Sequence, residues 1–155
     1  MEVIPVGSTT IQYDGILDDQ KFYNFLKDTL KGLGYNVIEG SYIQFSNNYV
    51  IDWSATKLID DYMAYRLTLK IDFRGIKKGA GVKEGKQVEV KTGTVKVDVT
   101  YDILLDYLDK WTHGISKLIR PVYDKMNEEV MKQRKATFEE EVQNLKNTIQ
   151  SNLGQ

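Results

Sequence analysis

The chain has 155 residues, 28% of them charged and 41% hydrophobic, with a formal net charge of −1, the composition of one folded globular domain. It has no cysteine and a single histidine, His113. These counts exclude thiol nucleophiles, disulfides, cysteine zinc ribbons, iron–sulfur ligation and any site built on paired imidazoles. No stretch approaches the ~20 apolar residues of a membrane-spanning helix, and the start, Met1 to Gly7, lacks the basic and apolar regions of a signal peptide. The expected location is the cytoplasm.

The charge is unevenly spread, with residues 1–60 carrying −4, residues 61–100 carrying +4 and residues 101–155 carrying −1. The basic stretch from residue 74 to 91 contains Arg74, Lys77, Lys78, Lys83, Lys86 and Lys91 against Glu84 and Glu89. Such a field attracts phosphate or an acidic partner, and it is equally the composition of a solvated hairpin.

In chain order, a short strand is expected around Thr9 to Tyr13. Asp18 or Asp19 then caps a helix whose Phe22, Phe25, Leu26, Leu30 and Leu33 recur at helical spacing, and Gly32 and Gly34 end it. Tyr42 to Phe45 reads as a short strand and Asn47-Asn48 as a turn. Tyr49, Ile51, Trp53 and Ala55 then alternate with polar residues. The clearest alternation follows, with Met63, Tyr65, Leu67, Leu69, Ile71 and Phe73 on one face and Arg66, Thr68, Lys70, Asp72 and Arg74 on the other. Gly75, Gly79, Gly81 and Gly85 mark a loop or minor hairpin. Val95 to Tyr107 forms another long strand, with Lys96, Asp98, Thr100, Asp102 and Asp106 opposite its apolar residues. One wet face and one dry face imply an antiparallel sheet packed on helix.

The helical C-terminus is expected from Thr112 or Ser116, broken or kinked at Pro121, and then continuous for about 33 residues or about 50 Å. Its apolar stripe includes Phe138, Val142, Leu145 and Ile149. The expected fold is therefore α+β: one domain over residues 1–155, with an antiparallel, curved sheet of about five to six strands on one short N-terminal and one long C-terminal helix. Residues 134–155 form a helical extension longer than such a sheet can cover, whose stripe is buried either within the monomer, by a second copy, or by a foreign partner or membrane surface. The element order is similar to the helix-grip superfamily, which includes START-type and Bet v 1-like proteins, but without the second short helix that usually follows the first. Trp53 to Tyr62, Asp106 to Trp111, Ile119 to Lys125 and Gly34 to Val37 together resemble a group of small, uncharacterised archaeal α+β proteins over most of residues 10–130. That resemblance implies the fold and a single domain and supplies no activity.

The chemical motifs fail where they are tested. Gly85-Lys86 has Ala80 and Gln87 where a P-loop needs glycine and a hydroxyl, and Gly79-Ala80-Gly81 is followed by Glu84 where a dinucleotide fingerprint needs glycine. Asp98, Asp102 and Asp106 stand about 13 Å apart along one strand, too far for a glycosidase pair. His113 reads as a capping or packing residue and Asp60-Asp61 as turn chemistry. The sequence therefore implies no catalytic residues, no metal site and no cofactor.

The expected function is a non-enzymatic binding or assembly module, forming a homo-oligomer or holding a protein partner through Phe138, Val142, Leu145 and Ile149. An alternative is a carrier of a lipid or other apolar molecule in a cavity lined by Trp53, Tyr65, Phe73 and Tyr101, since the ten tyrosines crowd the inner face. A second alternative is phosphate or RNA binding through Lys77, Lys78, Lys83 and Lys86. Nucleic acid is the weaker idea, because the outward aromatics needed for base stacking are few.

Overall fold

The structure is a computed structural model that describes residues 1–109, 118, 121, 122, 125 and 128–154, without the side chain of Lys83. Strand β1 (Glu2–Ile16) leads into helix α1 (Asp19–Gly32), followed by β2 (Asn36–Phe45), β3 (Asn48–Leu58), β4 (Met63–Lys83) and β5 (Lys86–Leu105). Helix α2 (Glu128–Asn152) closes the described chain. The strands form one antiparallel sheet in the order β1-β5-β4-β3-β2, so the fold is α+β with five strands, the lower end of the expected count.

The period-two pattern of β4 and β5 sets the layers. Leu67, Leu69, Ile71 and Phe73 pair across the sheet with Tyr101, Val99, Val97 and Val95, and all but the half-buried Tyr101 are buried. The opposite face keeps Arg66, Thr68, Lys70 and Asp72 paired with Asp102, Thr100, Asp98 and Lys96. There Arg66 reaches Asp102, directly opposite it, at 2.9 Å, a cross-strand charge pair.

Both helices bury their stripes on the dry face. Helix α1 starts where the Asp18 side chain accepts from the Lys21 amide, and contributes Phe22, Leu26 and Leu30. Helix α2 contributes Phe138, Val142, Leu145 and Ile149, each at most 4% exposed. Phe138 stacks on Tyr65 at 4.1 Å and meets Tyr101 edge-on at 5.6 Å. The expectation that residues 134–155 outrun the sheet and leave this stripe for association is therefore corrected. The sheet of the same chain covers all four residues: Phe138 packs on Tyr65 and Tyr101, and the stripe belongs to the core that also holds Val97, Val99 and Ile103.

The other differences have local causes. Strand β1 extends well beyond Thr9 to Tyr13 through a bulge between Pro5 and Gly7, which interrupts the alternation. Gly7 is required there because a Cβ would lie 2.5 Å from the Tyr101 hydroxyl. The turn after β2 is Ser46-Asn47, one residue earlier than expected, with Ser46 at φ 56°. The glycine-rich segment is a hairpin, with β4 and β5 paired to Lys83 and Lys86 around Glu84-Gly85, both at positive φ as a type I′ turn demands. The expected helix start at Thr112 or Ser116, and His113, lie outside the described residues; Pro121 is itself helical.

Truncating the ring that joins α2 to the sheet should be costly. Phe138→Ala is expected to lower unfolding free energy by about 3 to 5 kcal/mol, read from urea denaturation. A change in native mass with unchanged stability would contradict this placement.

Candidate functional site

A cleft of about 340 Å³ opens between α1 and the β2–β3 hairpin, lined by Gln20, Tyr23, Asn24, Glu39, Tyr42, Tyr49 and Ile51. Its shape depends on a bulge in β2. Glu39 pairs with Trp53 and Tyr42 with Ile51, while the register shifts between Glu39 and Ser41. Three residues apart in a regular strand, Glu39 and Tyr42 would face opposite sides. The extra residue at Gly40 turns both onto the helix side, as bulges do where a side chain is re-aimed.

The walls are held by aromatic contacts and hydrogen bonds. Tyr42 lies 5.6 Å from Tyr49, Tyr49 stacks on Phe73 at 4.6 Å, and Tyr23 meets Trp53 edge-on at 5.1 Å. Glu39 Oε1 accepts from the Tyr23 hydroxyl at 3.2 Å and from Trp53 Nε1 at 3.3 Å. The Tyr42 hydroxyl donates to Gln44 at 3.3 Å. The Tyr49 hydroxyl donates to Asp19, whose other oxygen accepts from Lys91 Nζ at 3.2 Å.

These contacts shift protonation in understandable directions. Burial pushes the Tyr49 phenol well above its usual range, and Asp19 adds to the shift. Burial likewise raises Tyr23, with the Glu39 charge and hydrogen bond acting the same way. For Asp19 burial acts upward, but the bonds from Tyr49 and Lys91 outweigh it and leave the carboxyl below its usual range.

A second polar cluster ties α2 to the sheet. Glu141 accepts from Tyr35 at 2.8 Å and from Lys57 at 2.7 Å. Burial, reinforced by Glu141, raises the Tyr35 phenol. Of the acidic run Glu139-Glu140-Glu141, only the third residue turns toward the sheet to make this bridge. Asp60 accepts from the Tyr62 and Met63 amides at 2.8 and 2.7 Å, the turn chemistry expected of it.

The residues read from the sequence as candidate sites distribute differently. Trp53, Tyr65 and Phe73 are at most 3% exposed, and Tyr101 packs over Gly7 and against Phe138. The four fill the sheet–helix core, so they do not line the apolar cavity expected of them. The basic residues are split by register. Lys77 pairs with Thr92 and Lys78 with Lys91, putting Lys77 and Lys78 on opposite faces of the hairpin. Lys78 stands 4.0 Å from Glu89, and Lys86 shares the Lys77 face with Val88 and Val90. Lys83 pairs with Lys86 at the hairpin end.

Sequence reasoning missed Glu39, Tyr23 and Tyr42 as a group. The available signal was Gly40 inside a strand-like run, which marks a bulge. Among the described residues no group of three or more His, Asp or Glu is arranged to hold a metal ion, and no helix is long and apolar enough to cross a membrane. No protein-family model matches the chain, and neither a curated protein nor a solved structure is significantly similar to it.

Asp19 gives a pH test. Because its folded pKa lies below the unfolded value of about 3.9, its stabilisation is present above that pH and is lost as pH falls through the folded value. Asp19→Asn should therefore lower stability at neutral pH and flatten the decline on the acid side, measured by urea midpoints across pH. A mutant with the wild-type acid limb would contradict the assignment.

Proposed function

We propose that the chain is an assembly module that acts by binding, joining a second copy of itself edge to edge through β2. The observation that carries this reading is the exposure of Ile38, Tyr42, Ile43 and Phe45, at 59, 52, 66 and 79%, on a strand at the sheet's edge. Edge strands are normally blunted by lysine, proline or inward charge. The β2 sequence, NVIEGSYIQF, has no lysine or proline, and its one charge, Glu39, faces the cleft. Both edges carry a bulge, but β1 adds Glu2, Pro5 and Asp14 along its length, whereas β2 beyond its bulge, from Ser41 to Phe45, carries no charge and no proline.

A second copy fits β2 for reasons of charge and geometry. Because Gly40 bends the strand, the flat part is Ser41 to Phe45. An antiparallel two-fold pairing centred on Ile43 sets Ile43 against Ile43 and Phe45 against Ser41, with no like charges opposed. This reading replaces the C-terminal stripe as the association surface, since α2 has covered that stripe with its own sheet.

The double substitution Ile43→Lys with Phe45→Lys should leave the fold intact, because both side chains are exposed, and convert dimer to monomer by light scattering. A wild-type chain that is monomeric at tens of micromolar, about the concentration at which a modest interface forms, would overturn the proposal.

The basic hairpin supports a second reading, contact with a polyphosphate or RNA backbone. Beyond Arg74 and Thr92 the hairpin pairs with no other strand, and Lys77 and Lys86 lie on one of its faces about 20 Å apart along the ribbon. Lys77→Glu with Lys86→Glu should abolish retention on a polyanion and remove its steep salt dependence; unchanged retention would retire this reading.

A further inference from the structure

We infer that the α1–β2–β3 cleft is a binding site for an organic ammonium ion with an alkyl shell, of about the size of choline. The inference rests on which hydrogen-bonding capacity remains after the cleft's own groups have paired. The Tyr23 hydroxyl donates to Glu39, that of Tyr42 to Gln44 and that of Tyr49 to Asp19. Each phenol has one proton, so none is left to donate to a ligand. What these residues still present is electron-rich: the outer face of the Tyr42 ring, since Tyr49 lies between Tyr42 and Phe73, together with phenol lone pairs and Glu39 Oε2, which accepts no hydrogen bond among the described residues. Only the amides of Gln20 and Asn24 retain donors.

The surroundings point the same way. Asp18 and Asp19 lie close enough to raise the Tyr49 phenol by their charge, while Lys91 is engaged with Asp19. The chain's own Lys27 ammonium stands 5.8 Å from the Tyr23 ring centroid, the geometry in which an aromatic quadrupole attracts a cation, and a ligand ammonium takes its place there as Lys27 swings to solvent. An anion would meet repulsion from Glu39. A neutral apolar guest would gain contact with the rings but leave the carboxylate without a counter-charge. An alkylated ammonium satisfies both, since its methyl groups pack against rings and its charge faces Glu39 and the π-faces. The site lies on the helix side of β2, opposite Ile43 and Phe45, so it does not rest on the proposed dimer.

The test is a titration of the full chain with choline, followed by amide NMR shifts of β2 and α1. It is paired with a titration by the neutral carbon isostere, in which a tert-butyl group replaces the trimethylammonium. Choline should saturate a single site that includes Glu39, Tyr42 and Tyr23, with the isostere weaker by roughly tenfold. Glu39→Gln should weaken choline but not the isostere, and Tyr42→Ala, at a half-exposed position, should weaken both. Equal binding of choline and isostere would overturn the ammonium assignment. Shifts that stay linear with choline, or persist unchanged in Glu39→Gln, would overturn the site. Were Tyr42→Ala to misfold, the isostere pair and Glu39→Gln would still decide between these outcomes.

Discussion

The structure depends on one constraint: the apolar faces of β4 and β5 must be covered from a single side by helices of the same chain. Phe138 against Tyr65 is the contact through which this is met, a stacked ring pair joining α2 to the middle of the sheet. Stacked and edge-on aromatic contacts add stabilisation beyond their buried area, and here they fix which face of α2 turns inward. With that face committed, Glu141 falls beside Tyr35 and Lys57, so the polar side of the same interface is satisfied as well.

What the helices do not cover then becomes informative. The wet face carries threonines and paired charges, and of the large hydrophobics left exposed Ile38, Tyr42, Ile43 and Phe45 cluster on β2. The Gly40 bulge divides that strand into two roles. Toward α1 it presents Glu39 and Tyr42 to the cleft, and away from α1 it presents Ile38, Ile43 and Phe45. One inserted residue thus sets a small polar–aromatic cleft and an exposed apolar surface on the two sides of a ten-residue strand.

The alternation of β4 and β5 and the amphipathic spacing of α1 were readable from the sequence because regular elements preserve their period. The stripe on α2 was equally readable, but not its partner, since an apolar face looks the same whether its own sheet or another molecule buries it. β1 and β2 were read short because bulges at Pro5/Gly7 and at Gly40 each shift the alternation by one residue. The basic segment was read as a loop or minor hairpin, and the structure makes it a hairpin: Glu84-Gly85 supplies the turn, Gly75 sits in a register shift between Arg74 and Lys77, and Gly79 and Gly81 are paired with Val90 and Val88. A Cβ at Gly81 would lie 2.9 Å from Val90. The cleft was not legible, because its members come from α1, β2 and β3 and converge only through the bulge.

The central claim is that β2 is the surface this fold leaves for association. Amide hydrogen exchange of β2, compared at low and high protein concentration, tests it most directly. The account predicts that the Ser41 to Phe45 amides facing away from β3 exchange freely when dilute and become protected as concentration rises, while β1 at the opposite edge does not change. Concentration-independent exchange along β2, or protection that rises at β1 instead, would contradict it.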